Sequence, residues 1–390
     1  MSERFTERVR SLKAEGAYAV LARARALEVQ GRDIIHLEIG QPDFPTPAHI
    51  AEAGAQAILN GHTRYVAPAG SPDLRAAIAE TAGATRGLDF GPEEVIVGSG
   101  GKPGIFYTVM ALVDKGDEVI IPDPGFPSYA HIVRIAGGVP VPVRLDPDEL
   151  YNFDLDDFAA KLSPRTRLII HNSPSNPTGG VAPLSALKRI AEAAIQHDLW
   201  IISDEIYYHL VYDGVAPSIA TLPGMRERTV IVDGFSKTYS MTGWRLGYAI
   251  MPAALADRVA LLMTHATGCT ADFTQVAGVE ALRGDQATVA AMRDSFLQRR
   301  DLTVNALNSI PGITCAMPRG AFYAFPDIRS FGRTSTDLAG YLLNEAGVAL
   351  LAGSDFGAAG EGYLRISYAT APELIEAAIE RMRTALAKLQ

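Results

Sequence analysis

Between about residues 90 and 250, short apolar runs alternate with stretches of helical apolar spacing, and this alternation constrains the fold more than any other feature of the chain. Runs at 94–97, 118–121, 167–171, 200–203, 230–233 and 246–250 are predicted to be strands. Between two of them, Leu184, Leu187, Ile190, Ala191 and Ala194 recur at helical spacing, which predicts a helix over 184–195. The alternation predicts an α/β fold with a mostly parallel central sheet and helices on both faces.

A chain of 390 residues exceeds what one hydrophobic core usually supports, so two domains are expected, one of them discontinuous. Beyond residue 285 the pattern changes to a long helix, a meander around 313–325 and a final helix over 372–389. The first 40 residues, helical and then extended at 33–39, are expected to join this smaller unit. The predicted division is 1–44 as an N-terminal arm and part of the small domain, 45–285 as the large ligand-binding domain, and 286–390 as a small α+β domain.

Composition excludes several functions. A formal net charge of −9 without a Lys/Arg block argues against nucleic-acid binding. Cys269 and Cys315 are too few for a disulfide framework and lack zinc-site spacing, which fits a reducing cytoplasm. No metal is expected, because the 8 His form no i, i+4 ligand pair with a carboxylate. Residues 1–13 lack the apolar core of a signal peptide and read as an arm or first helix. Apolar runs such as 259–263 fall far short of the roughly 20 residues that span a bilayer, so no membrane association is expected.

In open parallel sheets, ligands bind where the carboxyl ends of strands and the following helix N-termini converge. Four predicted strands run directly into polar segments: Gly98-Ser99-Gly100-Gly101-Lys102, Asn172 through Asn176-Pro177-Thr178-Gly179, Asp204-Glu205-Ile206-Tyr207, and Gly234-Phe235-Ser236-Lys237. The glycine-rich segment precedes a helix expected from near Pro103, so it reads either as a phosphate cradle or as a tight strand-to-helix turn. It matches neither the P-loop nor the dinucleotide fingerprint. Asp204 reads either as a helix cap or as the partner of a protonated ring nitrogen. Asn176 before Pro177 reads either as a turn residue or as a ligand contact. Lys237 and Arg245 lie in a segment dense in small and hydroxylated residues, suited to close ligand approach. Strand alternation puts Arg365 opposite Leu364 and Ile366, on a face that meets either water or a carboxylate.

Taken together, these segments resemble the class I/II aminotransferases of the fold type I pyridoxal-phosphate enzymes, from about Leu27 to Thr370. The lysine signature from Gly234 to Gly247, the Asn176-Pro-Thr-Gly run, Asp204-Glu-Ile-Tyr207 and Arg365 follow in the family's order. The resemblance implies pyridoxal 5′-phosphate as cofactor, held as a Schiff base by Lys237. It implies that Asp204 pairs with the pyridinium nitrogen, that Tyr207 and Asn176 bond the ring hydroxyl oxygen, and that Phe126 stacks on the ring. The phosphate would be held by Gly100, Gly101, Lys102, Ser236 and Arg245, with Tyr65 arriving from the other subunit of a homodimer.

The same resemblance implies that Arg365 pairs with the substrate α-carboxylate, helped by Asn176 and Gly40, so that the Cα–H bond is the one aligned for cleavage. Lys237 would be the base, with a pKa lowered by burial and by Arg245. Lys102 matches the Gly-Gly-Lys of the aspartate-preferring branch, where it can meet a distal carboxylate. That branch's Ser-Ala-Thr segment reads here Gly16-Ala17-Tyr18, removing two hydroxyls and adding an aromatic. Acidic, aromatic and broad amino donors, with 2-oxoglutarate as an acceptor, therefore stay open. So does a β-lyase, decarboxylase or synthase activity on the same fold.

Overall fold

The computed structural model describes residues 4–10, 12 and 14–389. Part of the expected N-terminal arm, at residues 1–3, 11 and 13, lies outside the described residues; Glu7–Arg10 is a helical turn and Gly16–Val29 a longer helix.

Eight strands form the large sheet, in the spatial order Val95–Gly98, Gly247–Ile250, Thr229–Gly234, Trp200–Asp204, Thr166–Asn172, Glu118–Asp123, Val139–Asp146 and Asn152–Phe153. The run from Thr229–Gly234 to Val139–Asp146 is parallel throughout. Gly247–Ile250 is antiparallel to both neighbours, and Asn152–Phe153 pairs antiparallel at the far edge. All six predicted strands are present, and the predicted helix runs Leu184–Gln196.

Strand alternation sends successive side chains to opposite faces, and both faces are covered. Ile96, Val119, Ile121, Leu168 and Ile170 pack with residues of the helices Gly101–Leu112, Ser128–Ala136 and Ala253–Ala266. Their strand neighbours point the other way: Ile120 and Ile169 pack on Leu184–Gln196, while Val95 and Val97 pack on Pro72–Arg86 and Asp272–Arg283. Pro72–Arg86 has clear end signals, with the Ser71 side chain accepting from Leu74 N at 3.4 Å, Pro72 in the first turn, and left-handed Gly87 at the end.

A second core gathers the two ends of the described chain. Ile35–His36 pairs parallel with Val348–Ala349, and Leu364–Ser367 lies between Tyr323–Ala324 and Leu351–Ala352, antiparallel to both. The helices Ala287–Asn308 and Pro372–Leu386 cover these strands through Phe296, Leu307, Ile379 and Met382. No helix of the described residues is long and apolar enough to cross a membrane.

Candidate active site

The parallel strands deliver Asn172, Asp204 and Gly234 to one edge of the sheet, where Gly247 begins the antiparallel strand and Gly98 ends the outer one. Gly98, Gly247 and Gly234 stand directly opposite one another across three strands. A Cβ on Gly247 would lie 2.4 Å from the carbonyl carbon of Gly100 and 2.5 Å from Gly101 N. Glycine is therefore required for the 98–101 loop to lie against the sheet, and that loop starts the helix Gly101–Leu112 at the strand ends. The helix begins two residues earlier than Pro103, where it was expected.

This edge opens into a cavity of about 660 Å³. It gathers Tyr18, Gly40, Gly101, Lys102, Phe126, Asn176, Asp204, Tyr207, Ser236, Lys237, Arg245 and Arg365 on one lining. Gly100 stands just outside it, in a left-handed conformation (φ 95°) where a Cβ would meet Arg245 Nη2 at 2.5 Å. Tyr65 is not brought to this cavity; its side chain is 96% exposed elsewhere on the same chain.

Lys237, in the short helix Phe235–Thr238, donates from Nζ to the Gly40 carbonyl at 2.5 Å. Burial, together with the nearby Arg365 and Arg245 cations, lowers its pKa to about 8. At that value about a tenth of the amine is neutral at pH 7, against about one part in three thousand for an ordinary lysine. The segment reaches the cavity through strained backbone, since Ser240 and Arg245 hold positive φ values of 52° and 55°. Arg245 donates to the carbonyls of Ser99 (2.9 Å) and Thr242 (3.0 Å).

Asp204 ends its strand, 6% exposed, on the cavity lining. Burial raises its carboxyl to about 6, opposed by hydrogen bonds from the Tyr129 hydroxyl at 2.6 Å and from Ile206 N at 3.3 Å. No helix starts there, so the cap reading does not hold. Asn172 ties two predicted residues together, with Nδ2 donating to Asp204 O at 2.9 Å and Oδ1 accepting from Asn176 N at 2.9 Å. The Asn176 side-chain oxygen is buried without a partner.

Arg365 is buried, 4% exposed, with its guanidinium 4.6 Å from the Tyr323 ring centre and 5.2 Å from that of Phe356. Nη2 donates to the Glu38 carbonyl, while Nε is buried and unpartnered. Tyr207 and Tyr323 share a hydrogen bond between hydroxyls at 2.8 Å.

Sequence reasoning gave no role to four residues here: Tyr129, Tyr323, Asn172, named only as the start of a polar segment, and Glu15. Nothing in the sequence distinguishes Tyr129 and Tyr323 from core aromatics, and nothing in the polar N-terminal segment singles out Glu15, whose carboxylate pairs with Lys102 Nζ at 3.1 Å. For Asn172 there was a signal, since it is polar at the last position of an apolar strand.

Comparison with known proteins gives the family. The family model described as aminotransferase class I and II matches residues 32–382. A probable aspartate/prephenate aminotransferase of Thermus aquaticus is 42% identical over 384 residues, covering 98% of this chain and 99% of that one. Among solved structures, the Thermus thermophilus aspartate aminotransferase with maleate superposes with a TM-score of 0.94 at 39% identity, covering 98% of this chain and 99% of the other. An aromatic aminotransferase from Pyrococcus horikoshii OT3 superposes at 0.90 and 41%, covering 94% and 100%. With its family model matched over most of its length and near-complete relatives around two-fifths identical, the chain belongs to the class I and II aminotransferases.

Proposed function

We propose that this aminotransferase carries pyridoxal 5′-phosphate on Lys237 and moves the amino group of an aromatic or acidic L-amino acid to a 2-oxo acid such as 2-oxoglutarate. The observation that carries the reading is Lys237 itself: a half-buried amine whose Nζ donates to a backbone carbonyl, not a carboxylate, in the same cavity as Asp204 and Arg365. Withdrawing an amine from water without a carboxylate partner is costly, and structural lysines rarely sit so.

The residues present fit the cofactor. Ser236, Arg245 and the first N–H groups of the helix Gly101–Leu112 form a donor set for a phosphate. Asp204, held up by burial, gains a counter-charge from a protonated ring nitrogen. The unpartnered Asn176 Oδ1 and the paired hydroxyls of Tyr207 and Tyr323 offer further contacts, and Phe126 offers a half-buried aromatic face. When bound, the cofactor supplies an electron sink for the carbanion left at the substrate Cα.

The protein's own part is orientation and proton transfer. Arg365 has an unpartnered Nε for an α-carboxylate, and Nη2 is anchored on the Glu38 carbonyl, which orients the fork. Neutral Lys237 Nζ accepts the Cα proton, and the lowered pKa keeps that form available at neutral pH. Both substrate classes draw support from relatives, among them an aspartate aminotransferase from Rhizobium meliloti and the aromatic enzyme from Pyrococcus horikoshii.

The same reading includes a homodimer in which Tyr65, exposed on its own chain, completes the partner's site. A division of the chain near residues 44 and 285 is supported by the core shared between Ile35, Leu37 and the C-terminal elements. A cytoplasmic location is supported by Cys269 and Cys315, both unlinked.

The test is the absorption spectrum of the purified protein, followed by single half-reactions with a panel of amino acids. A yellow parent, a colourless Lys237→Ala variant and stoichiometric oxo-acid release are expected. Release of pyruvate and ammonia in place of the matching oxo acid would instead assign a β-lyase.

A further inference from the structure

Glu15 stands on the lining of the cavity, with Oε2 3.1 Å from Lys102 Nζ. The same Nζ lies 4.9 Å from the centre of the Phe126 ring. Among the described residues the lining carries the cations Lys102, Lys237, Arg245 and Arg365, and on the reading above the last three serve the cofactor and the α-carboxylate. Lys102 is then the cation left to receive a carboxylate at the far end of a substrate. Around it, Ala17, Tyr18, Leu21 and Ile39 give the lining an apolar and aromatic character.

We propose that Glu15 is a specificity-determining residue: by holding Lys102 it withdraws that cation from side-chain carboxylates and biases the site toward substrates with uncharged, above all aromatic, side chains. The proposal rests on the aminotransferase reading of this cavity. The pair is partly exposed, with side-chain exposures of 27% for Glu15 and 48% for Lys102, so it is weak and restrains Lys102 without locking it. An aromatic side chain leaves the pair intact. A substrate carboxylate must take Lys102 from Glu15 and then lie beside a second negative charge, and both steps disfavour it. The influence of Glu15 also reaches deeper, since its charge acts on Arg365, Tyr323 and Lys237.

Equilibrium binding of two unreactive analogues to the cofactor-loaded protein tests this: maleate as the dicarboxylate and 3-phenylpropionate as the aromatic monocarboxylate. Glu15→Gln is expected to tighten maleate about five- to tenfold while 3-phenylpropionate changes less than about twofold. Adding Lys102→Met to Glu15→Gln should abolish the gain. If Glu15→Gln leaves the ratio of the two affinities unchanged, or weakens maleate, the proposal is overturned while the reading of the site stands. A parent protein that binds neither analogue would overturn both.

Discussion

The Tyr129 hydroxyl donates to Asp204 Oδ2 at 2.6 Å, a contact that joins the helix Ser128–Ala136 to the end of the strand Trp200–Asp204. Because Tyr129 is fully buried and Asp204 nearly so, this bond helps decide how readily the carboxylate keeps its negative charge. Cofactor retention should therefore depend on a residue that makes no charge of its own.

Tyr129→Phe removes that donor and should raise the Asp204 carboxyl further, weakening its hold on a protonated ring nitrogen. A hydrogen bond to a charged group contributes about 1.5–3 kcal/mol, so cofactor affinity should fall about 10- to 100-fold. Absorbance after dialysis against graded cofactor concentrations measures it. An unchanged dissociation constant would show that Asp204 is held ionised by other groups.

Lys237 sets a pH dependence. Its pKa is lowered to about 8, and the neutral amine is the form that attacks an aldehyde, so the rate at which cofactor-free protein takes up pyridoxal phosphate should rise with pH through about 8 and then level. Arg365→Ala removes one of the cations that lower it, and the midpoint should move upward. A rate still climbing at pH 10 in the parent would contradict the assignment.

Arg365→Lys keeps a positive charge but loses the planar fork. Replacing a bidentate contact by a point charge should lower kcat/KM for amino-acid substrates about 30- to 1000-fold, with the cofactor spectrum retained. Steady-state kinetics beside a spectral titration separates the two effects.

Arg86 predicts a stability effect away from the cavity. Its buried guanidinium bonds Glu205 at 2.8 Å and Asp233 at 3.2 Å. Arg86→Met leaves two buried carboxylates without their cation and should destabilise the protein by about 3–5 kcal/mol. Burial already raises Asp233 to about 6 against the opposing pull of Arg86, and the substitution should raise it further. A carboxyl raised in the folded state gives stability that is present at low pH and lost as pH rises through the folded pKa. The deficit in Tm should accordingly be larger at pH 8 than at pH 5.

Where an element is a single apolar run, as at Val95–Gly98, the sequence displays it openly, because burial on both faces leaves no polar positions to blur it. The strand Val139–Asp146 was not legible, since Pro140 and Pro142 argue against a strand inside a sheet. Its position explains the tolerance: only Leu145 and Asp146 pair with Asn152–Phe153 on its outer side. The direction of Gly247–Ile250 was equally hidden, as an apolar run does not record which way it points. Lys237, Asp204, Asn176 and Arg365 were legible as a set only through their resemblance to the aminotransferase motifs, since each taken alone reads equally as a structural residue. Tyr129 and Tyr323 were not, because a buried tyrosine reads as core until its hydroxyl's partner is known.

Pairing of Ile35 with Val348 has a consequence for the order of events on the ribosome. Gly40 and Glu38, which anchor Lys237 and Arg365, lie just past Ile35 and are translated early, yet the strand before them has no partner until Val348 has been made. The large sheet can close while synthesis continues, but Lys237 gains its final neighbours only when the segment around Val348 folds back on the segment around Ile35.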